Sequence, residues 1–404
     1  MRLSVATNFD DQLLDQLQGF PVVEVFGKLP RDYVGGGRAS YMLAPLSRRR
    51  LAHHVAEARK RGIRFNYLLN AACLGNREFQ RGGQRRIERL LGWLGEIGVE
   101  AVTVSIPFML ELVKKRYPQF LVRVGVFARV ATPQQARFWE GMGADSITLD
   151  PLLVNRDMEL LAAIRQAVRC EVQLIPNSDC LSCCPMAPYH MVCLSHASQG
   201  GYSPFMVDYC FLKCTATRLQ EPVNYVRAVW IRPEDIHRYE SLGYHDFKIL
   251  ERNAPTEVMV ERVRAYSTRH FQGNLLDLIQ PYGYRSGAVR YLYRGLFRSL
   301  RHGFNPLRQN LKQAMRIRRL AAVMGILRLA EGPACVTLDN QSLHGFLDQL
   351  PAGCSGRDCD RCRYCHRWAE QAVTIDPAYR RECLALLNTV HEGLSSGPPK
   401  RRVV

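Results

Sequence analysis

The sequence predicts an α/β fold of the TIM type, a TIM-like (β/α) barrel in which repeated strand–helix units close on themselves. Short apolar runs of the length of buried parallel strands recur through the first 280 residues, and segments with helical spacing separate them. Several helical segments end in a glycine just before the next apolar run, at Gly62, Gly98 and Gly143. Eight or nine such units suit a barrel, and an open doubly wound sheet is the alternative.

The candidate strands can be read in order along the chain. They are residues 3–6, 22–26, 63–69, 101–106, 121–127, 146–149, 170–175, 226–231 and 247–250. Nine candidates exceed the eight strands of a barrel, so we expect one of them to lie outside the barrel or not to be a strand. Between them, Ile87, Leu90, Leu91, Leu94 and Ile97 keep to one face of a predicted helix.

Composition and segment boundaries predict four parts. They are a barrel over 1–280, a basic helical segment over 281–330, a small cysteine-rich module over 331–393 and a disordered tail over 394–404. Hydrophobic residues make up 47% of the 404 and charged residues 23%, which is typical of a globular protein. With no signal-peptide pattern and no apolar run of membrane-spanning length, we expect a cytoplasmic protein, where clustered cysteines indicate metal or redox chemistry.

The formal net charge is +18, and much of it lies in one stretch. Residues 285–319 hold nine Arg and one Lys with no Asp or Glu, so the rest of the chain carries about 18 − 10 = +8. Three interpretations stay open for this stretch: binding of RNA through its phosphates, a helix lying on an anionic membrane surface and giving a peripheral location, or a basic helix packed on the barrel with its arginines in water.

A cluster of six of the fourteen cysteines follows the strand predicted at 170–175, between Cys180 and Cys214. In a TIM barrel this is the carboxyl-end face, where active sites are built. We predict that Cys180, Cys184, Cys210 and Cys214 hold a 4Fe-4S cluster, with Cys193 as the alternative fourth ligand. Zinc would accept the same thiolates.

Other residues of the predicted barrel face are candidates for contact with a substrate. His190 lies inside the cysteine loop and is predicted to contact substrate or cluster. Arg38 follows three glycines that let the backbone approach an anion, and Arg252 follows the last predicted strand. Both arginines are predicted to orient a carboxylate, which Arg binds through two parallel hydrogen bonds.

A second cluster, C-x4-C-x2-C-x2-C, comprises Cys354, Cys359, Cys362 and Cys365. Four thiols within twelve residues can enclose one metal centre. The spacing predicts either a second 4Fe-4S cluster or a structural zinc ion, and the adjacent His366 could replace a thiol.

The cysteine loop also carries a family resemblance. The pattern N-x-x-C-x-x-x-C-P-x-x-x-x-H-x-x-x-x-S-H from Asn177, followed by D-Y-C, I-R-P-E-D-I and F-K-I-L-E-R, resembles the collagenase-like peptidase family, class U-32. The segment G-G-G-R-A-S from Gly35 is similar to the family's Gly-and-Arg loop. The resemblance covers roughly residues 1–280, and the cysteine spacing indicates a divergent branch.

The resemblance implies more than one activity. The family was named for proteolysis, but several members look like 4Fe-4S proteins that hydroxylate RNA bases or quinone precursors without molecular oxygen, some with prephenate as the proposed oxygen source. We therefore expect oxygen-independent hydroxylation, or a related redox modification, of an anionic or aromatic small molecule or of RNA. The alternatives are a peptidase, with Cys193 and His190 or His196 as a catalytic pair, and a non-catalytic cluster-bearing subunit that pairs with another family member.

Overall fold

The computed structural model describes residues 1–40, 43–202, 206–281, 311–326, 333–351, 354 and 358–395. Within them, strands β1 to β8 form a closed barrel in which every neighbouring pair is parallel and β8 pairs back with β1. The strands are Arg2–Ala6 (β1), Val22–Gly27 (β2), Arg64–Leu69 (β3), Ala101–Val104 (β4), Leu121–Val124 (β5), Ser146–Thr148 (β6), Glu171–Leu174 (β7) and Asp246–Ile249 (β8). The predicted TIM-like barrel is confirmed.

Helices surround the barrel and continue into the C-terminal part of the chain. They are Asp11–Gln16 (α1), Arg48–Lys60 (α2), Arg81–Glu96 (α3), Pro107–Arg116 (α4), Pro133–Gly141 (α5), Pro151–Val154 (α6), Met158–Ala167 (α7), Ala187–Ala197 (α8), Tyr209–Gln220 (α9), Val223–Arg227 (α10), Ile236–Ser241 (α11), Thr256–Thr268 (α12), Leu276–Ile279 (α13), Leu311–Val323 (α14), Cys359–Cys362 (α15), Tyr364–Ala372 (α16) and Pro377–Ser395 (α17). Val336–Leu338 (β9) and Val373–Ile375 (β10) form a separate antiparallel pair.

The strand–helix repeat arises as the sequence predicts. In α3 the predicted apolar face is buried at Ile87, Leu90, Leu91 and Leu94. After α3 the chain turns at Gly98, whose φ of +83° lies in the left-handed region that glycine adopts without a Cβ clash. This turn lets the helix stop and the next strand begin within a few residues.

The prediction of a strand at 226–231 is wrong. Its beginning belongs to α10, and the rest is an extended segment whose backbone bonds to loops: the Val229 N–H donates to the Cys180 carbonyl and the Ile231 N–H to the Pro176 carbonyl. The side-chain amide of Asn155 donates to the Val229 carbonyl at 2.7 Å. The run is apolar because Trp230 and its neighbours are fully buried.

The barrel interior is polar. Glu24 on β2 accepts hydrogen bonds from Ser4 (3.1 Å), Asn66 (2.9 Å) and Arg123 (2.8 Å), and all four side chains are buried. Lys248 on β8 is a second buried cation of the barrel interior, and its Nζ lies 4.3 Å from the centre of the Phe26 ring. A carboxylate between two cations, with its oxygens hydrogen-bonded, makes burial of these charges tolerable.

The C-terminal residues pack directly on the barrel. Leu343, Phe346 and Tyr364 join the main hydrophobic core. Arg232, from the I-R-P-E-D-I motif, donates to Asn340 Oδ1 at 2.9 Å and to the Leu343 carbonyl at 2.7 Å. The polar residues of that motif thus fasten the C-terminal segment to the barrel.

Only part of the predicted basic segment belongs to the described residues. Residues 282–310 and 327–330 lie outside them, as do residues 396–404 of the predicted tail, whereas Ser395 is the last residue of α17. In α14, Leu320 is buried against Leu387 and Val390 of α17, while Lys312 and Arg316 are exposed. No helix among the described residues has the length and apolarity needed to cross a membrane.

Candidate metal centre and barrel mouth

The cysteine loop begins at the carboxyl end of β7, as predicted. Asn177 is buried there, and its Oδ1 accepts a hydrogen bond from the Leu250 N–H at 2.7 Å while its Nδ2 donates to the Leu250 carbonyl at 3.1 Å. Because Leu250 follows β8, this pair of bonds joins the ends of two adjacent strands. The loop therefore starts at the barrel mouth, which we define as the carboxyl ends of β1 to β8.

A buried ion pair holds α9 against the start of this loop. Arg218 Nη1 lies 3.3 Å from Asp179 Oδ2, and Arg218 Nη2 donates to the Asp179 carbonyl at 2.6 Å. Asp179 precedes Cys180, and Arg218 lies one helical turn beyond Cys214. The pair thus brings the first and the last of the predicted cluster ligands to the same side of the mouth.

His190 joins α8 to α9. Its Nε2 lies 3.0 Å from Asp208 Oδ2, and Asp208 Oδ1 accepts the Phe211 N–H at 3.0 Å, which caps the N-terminus of α9. His190, which we predicted to contact substrate or cluster, is a half-buried residue of α8, the helix that also carries Cys193. Its partner Asp208 directly precedes α9, the helix that carries Cys210. In this place His190 positions the two helices.

The thiols of the predicted cluster lie within electrostatic range of one another. Burial raises the pKa of Cys180 to about 11, with a contribution from Cys184, and raises that of Cys214 to about 12, with a contribution from Cys180. Burial also raises the pKa of Cys210 to about 11, with contributions from Cys193 and Cys184.

These thiols suit an iron–sulfur cluster in number and kind. Within the described residues, Cys180, Cys184, Cys193, Cys210 and Cys214 form no disulfide. In the described part of the chain, no three His, Cys, Asp or Glu side chains are grouped to hold a single metal ion. In a 4Fe-4S cluster each thiolate binds a different iron, so its ligands need not converge on one point. The assignment of Cys180, Cys184 and Cys210 as ligands, with Cys214 or Cys193 as the fourth, stays a prediction.

The two arginines predicted at the mouth do lie together. Arg38 forms an ion pair with Glu251, whose side chain is buried. Arg252 is buried, and its Nη1 has no hydrogen-bond partner in the described residues. Burial, and then the charge of Arg38, lower the pKa of Arg252 to about 9. An unpaired guanidinium N–H in a buried site is a binding point for an anion.

Two more polar atoms are buried at the mouth without partners in the described chain, Asn70 Oδ1 and Ser105 Oγ. Glycines keep the space in front of them open. A Cβ on Gly36 would lie 2.6 Å from Asn70 Oδ1, and a Cβ on Gly125 would lie 3.1 Å from Ser105 Oγ and 3.3 Å from the Cβ of Asn70. A polar ligand entering this space would satisfy both atoms.

A buried triad of side chains after β2 was not predicted. Lys28 Nζ lies 2.7 Å from Asp32 Oδ2, which also accepts a hydrogen bond from the Tyr67 hydroxyl at 2.7 Å. Burial lowers the pKa of Lys28, an effect that Asp32 opposes. The available signal was position: Lys28 is the first residue after β2, where barrel active-site residues are found.

The Gly-and-Arg loop and the cysteine loop form one assembly. The Gly36 N–H donates to Ser198 Oγ at 2.7 Å, and Ser40 Oγ donates to the Ala197 carbonyl at 2.9 Å. Gly35 has a φ of +79°, and a Cβ there would lie 2.5 Å from Gln199 Cγ, so only glycine fits. The end of α8 thus fixes the loop that carries Arg38.

The pair predicted for peptidase chemistry is not assembled. Among the described residues, neither His190 nor His196 is hydrogen-bonded to Cys193: His190 pairs with Asp208, and the ring of His196 stacks on Tyr202 at 4.5 Å.

Elsewhere in the barrel, a hydroxyl, an imidazole and a carboxylate are hydrogen-bonded in the order found in a catalytic triad. Thr7 Oγ1 lies 2.8 Å from His54 Nε2, and His54 Nδ1 lies 2.8 Å from Asp11 Oδ1. However, Thr7 and His54 both have 0% exposure, so no substrate can reach this hydroxyl. The series fastens β1 to α1 and α2.

The second cysteine cluster lies where the C-terminal segment meets the barrel. Cys359 and Cys362 are exposed at the two ends of α15, and Cys354 and Cys365 are half-buried. Cys365 packs against the main core.

Comparison with known proteins links the chain to one family. The model of peptidase family U32 matches residues 33–181, from the Gly-and-Arg loop to just past Cys180. The uncharacterized protease MJ1657 of Methanocaldococcus jannaschii is 32% identical over 256 residues, which are 63% of this chain and 75% of that protein.

Two solved structures are similar at lower levels. The U32 peptidase Mk0906 is 23% identical, with a TM-score of 0.46, over 61% of this chain and 91% of that one. A D-psicose 3-epimerase, solved in the presence of D-fructose, is 12% identical, with a TM-score of 0.32, over 48% of this chain and 80% of that one. Neither likeness bears on the reaction.

Proposed function

The chain belongs to peptidase family U32, and from this premise we propose that it is an iron–sulfur enzyme that carries out an oxygen-independent hydroxylation or a related redox modification. Cys180, Cys184 and Cys210, with Cys214 or Cys193, would hold a 4Fe-4S cluster at the barrel mouth. When bound, such a cluster supplies one-electron redox chemistry.

The proposed hydroxylation sets requirements on the substrates. Conversion of C–H to C–OH removes two electrons from the substrate, so a co-substrate must donate the oxygen atom and accept those electrons. The family resemblance implies an organic carboxylate as that oxygen donor. A site for this reaction therefore needs a carboxylate-binding group next to the cysteines.

The residues of the mouth can meet this need. Arg252 offers an unpaired N–H to a carboxylate, and burial strengthens that interaction because water does not compete. Asn70 and Ser105 can orient a second polar group of the ligand in the space kept open by the glycines. The ion pair between Arg38 and Glu251 lies beside them and keeps Arg38 in place.

One observation carries the proposal: a buried arginine with an unpaired N–H lies at the same barrel mouth at which the cysteine loop begins. The test is binding of carboxylates to the anaerobically purified protein. We expect succinate and benzoate, but not succinamide and benzamide, to raise its melting temperature. Arg252→Gln should abolish the rise, whereas Arg137→Gln, on the exposed side of α5, should leave it unchanged. An equal response in both variants would contradict the carboxylate site.

Proteolysis is the rival enzyme activity. The described contacts of Cys193, His190 and His196 do not favour it, and the family name alone supports it. Casein cleavage by the wild-type protein that is lost in Cys193→Ala and kept in Cys73→Ala would replace the redox proposal with a cysteine peptidase. A third alternative, a non-catalytic subunit that pairs with another family member, predicts a bound cluster but no stabilisation by carboxylates.

A further inference from the structure

The second cysteine cluster lies against two arginines of the barrel. The guanidinium of Arg156 is buried, with its Cζ 4.1 Å from the centre of the Trp230 ring and 4.8 Å from that of Phe346. Its Nη2 donates to the Ala228 carbonyl at 2.8 Å, but its Nη1 is buried without a hydrogen-bond partner in the described chain. An unsatisfied, charged N–H group in such a place indicates a missing anionic partner.

Thiols of the second cluster lie close to Arg156. The ring of Phe346, over which Arg156 lies, has its centre 5.6 Å from that of Tyr364, the residue before Cys365. Cys365 and Cys354 act electrostatically on Arg156, as do Tyr239 and Asp235.

A second arginine approaches from α10. Arg227 Nη2 lies 3.4 Å from Asp360 Oδ1, in α15 between Cys359 and Cys362, and the Nε of Arg227 is buried with no hydrogen-bond partner in the described residues. Both guanidinium groups thus lie within electrostatic range of Cys365.

We propose that Cys354, Cys359, Cys362 and Cys365 form a second, tetrathiolate metal centre at the seam between the C-terminal segment and the barrel, with Arg156 and Arg227 as its charge-balancing partners. Four thiolates around a metal carry net negative charge, and N–H groups directed at ligand sulfurs tune and stabilise such centres. Cys359 and Cys362 are exposed on a single helical turn, so closure around a metal needs only a local adjustment. The ligand is a thiolate-binding metal, either an iron–sulfur cluster or zinc.

The two centres are neighbours. Cys183 contributes to the rise in the pKa of Cys354, although Cys183 belongs to the cysteine loop and directly precedes Cys184. Its backbone N–H donates to the Leu152 carbonyl at 2.9 Å, and its φ of +50° turns the chain at this point. Cys183, the direct sequence neighbour of the predicted ligand Cys184, therefore lies within electrostatic range of the second cluster.

The test is elemental analysis of full-length protein purified without oxygen from cells supplied with iron and zinc. We expect Cys359→Ser/Cys362→Ser to lose one centre's metal, either zinc or iron with sulfide, while keeping the rest. Cys180→Ser/Cys184→Ser should show the converse loss. If the C-terminal variant keeps the full wild-type metal content, the second centre does not exist.

The role of the arginines has its own readout. Arg227→Gln should lose metal from this centre to a chelator at about 10- to 100-fold lower chelator concentration than wild type, whereas Arg227→Lys should lie between them. If Arg227→Gln resists the chelator as well as wild type does, the arginine does not stabilise this centre. The inference is independent of the proposed activity: if only the C-terminal variant loses metal, the barrel cluster fails and this centre stands.

Discussion

Arg218 Nη1 lies 3.3 Å from Asp179 Oδ2, and this contact joins α9 to the residue before Cys180. The two partners are 39 residues apart in sequence. Because Asp179 directly precedes Cys180 and Arg218 lies one helical turn beyond Cys214, the ion pair links the two segments that carry these thiols.

We predict that Arg218→Met lowers the barrel-bound iron and destabilises the protein by about 2–3 kcal/mol, because it removes charged hydrogen bonds from a largely buried site. Iron content and urea unfolding are the measurements. Arg137→Met, an exposed arginine on α5, is the matched control. Full iron content in Arg218→Met would show that the pair does not organise the cysteines.

A second prediction concerns the polar interior of the barrel. Glu24→Ala should destabilise the protein by about 3–5 kcal/mol, because it leaves Arg123 and Lys248 buried without their shared anion. Glu24→Gln should cost less, since its amide oxygen still accepts from Ser4 and Asn66, and only the charge and the bond to Arg123 are lost. A Glu24→Gln variant as stable as wild type in urea unfolding would show that the charge does not matter.

A third prediction uses the pH dependence of stability. Burial lowers the pKa of Lys248 to about 8, below its ordinary value of 10.5. Between these values the unfolded chain binds more protons than the folded protein, so stability should rise with pH from about 8 to 10.5, by no more than about 3 kcal/mol.

The matched variant is Lys248→Met, which keeps the length of the side chain and removes the titrating group. The difference in unfolding free energy between wild type and variant, measured from pH 7 to 10.5, isolates this contribution from other titrating groups. A difference that stays constant across that range would show that Lys248 has an ordinary pKa.

A fourth prediction concerns the basic segment. The apolar face of α14 is packed on α17, while Lys312 and Arg316 are exposed, so this part favours contact with a polyanion over insertion into a membrane. We expect binding to single-stranded RNA that weakens steeply with salt.

Lys312→Glu/Arg316→Glu should weaken RNA binding, and Arg85→Glu/Arg89→Glu on the exposed face of α3 should not. Filter binding at several salt concentrations measures the effect. Equal weakening by both pairs would indicate that net charge alone attracts RNA. Stronger binding to anionic vesicles than to RNA would favour the membrane interpretation.

The barrel was predictable because its signal is local. Strand-length apolar runs, helical faces and glycine stops each lie within a few residues, and the structure confirms them. The false strand at 226–231 has the same composition as a true one. What distinguishes it is the side-chain amide of Asn155, 74 residues away, which takes a backbone bond that a neighbouring strand would otherwise make.

The site was predictable in its residue types but not in its pairings. The clustering of cysteines and the presence of Arg252 at the mouth follow from sequence position. The ion pair of Arg38 with Glu251 spans 213 residues, and no local pattern indicates it. The choice between Cys193 and Cys214 likewise depends on how α8 and α9 meet, which the bond between His190 and Asp208 sets.

Iron and acid-labile sulfide in the anaerobically purified protein, measured in wild type and in Cys180→Ser/Cys210→Ser, test the central claim most directly. We predict that the double variant contains about four fewer iron and four fewer sulfide per chain than wild type, with loss of the matching visible absorption. Wild-type protein without iron, or a double variant with undiminished iron, would contradict a cluster at the barrel mouth.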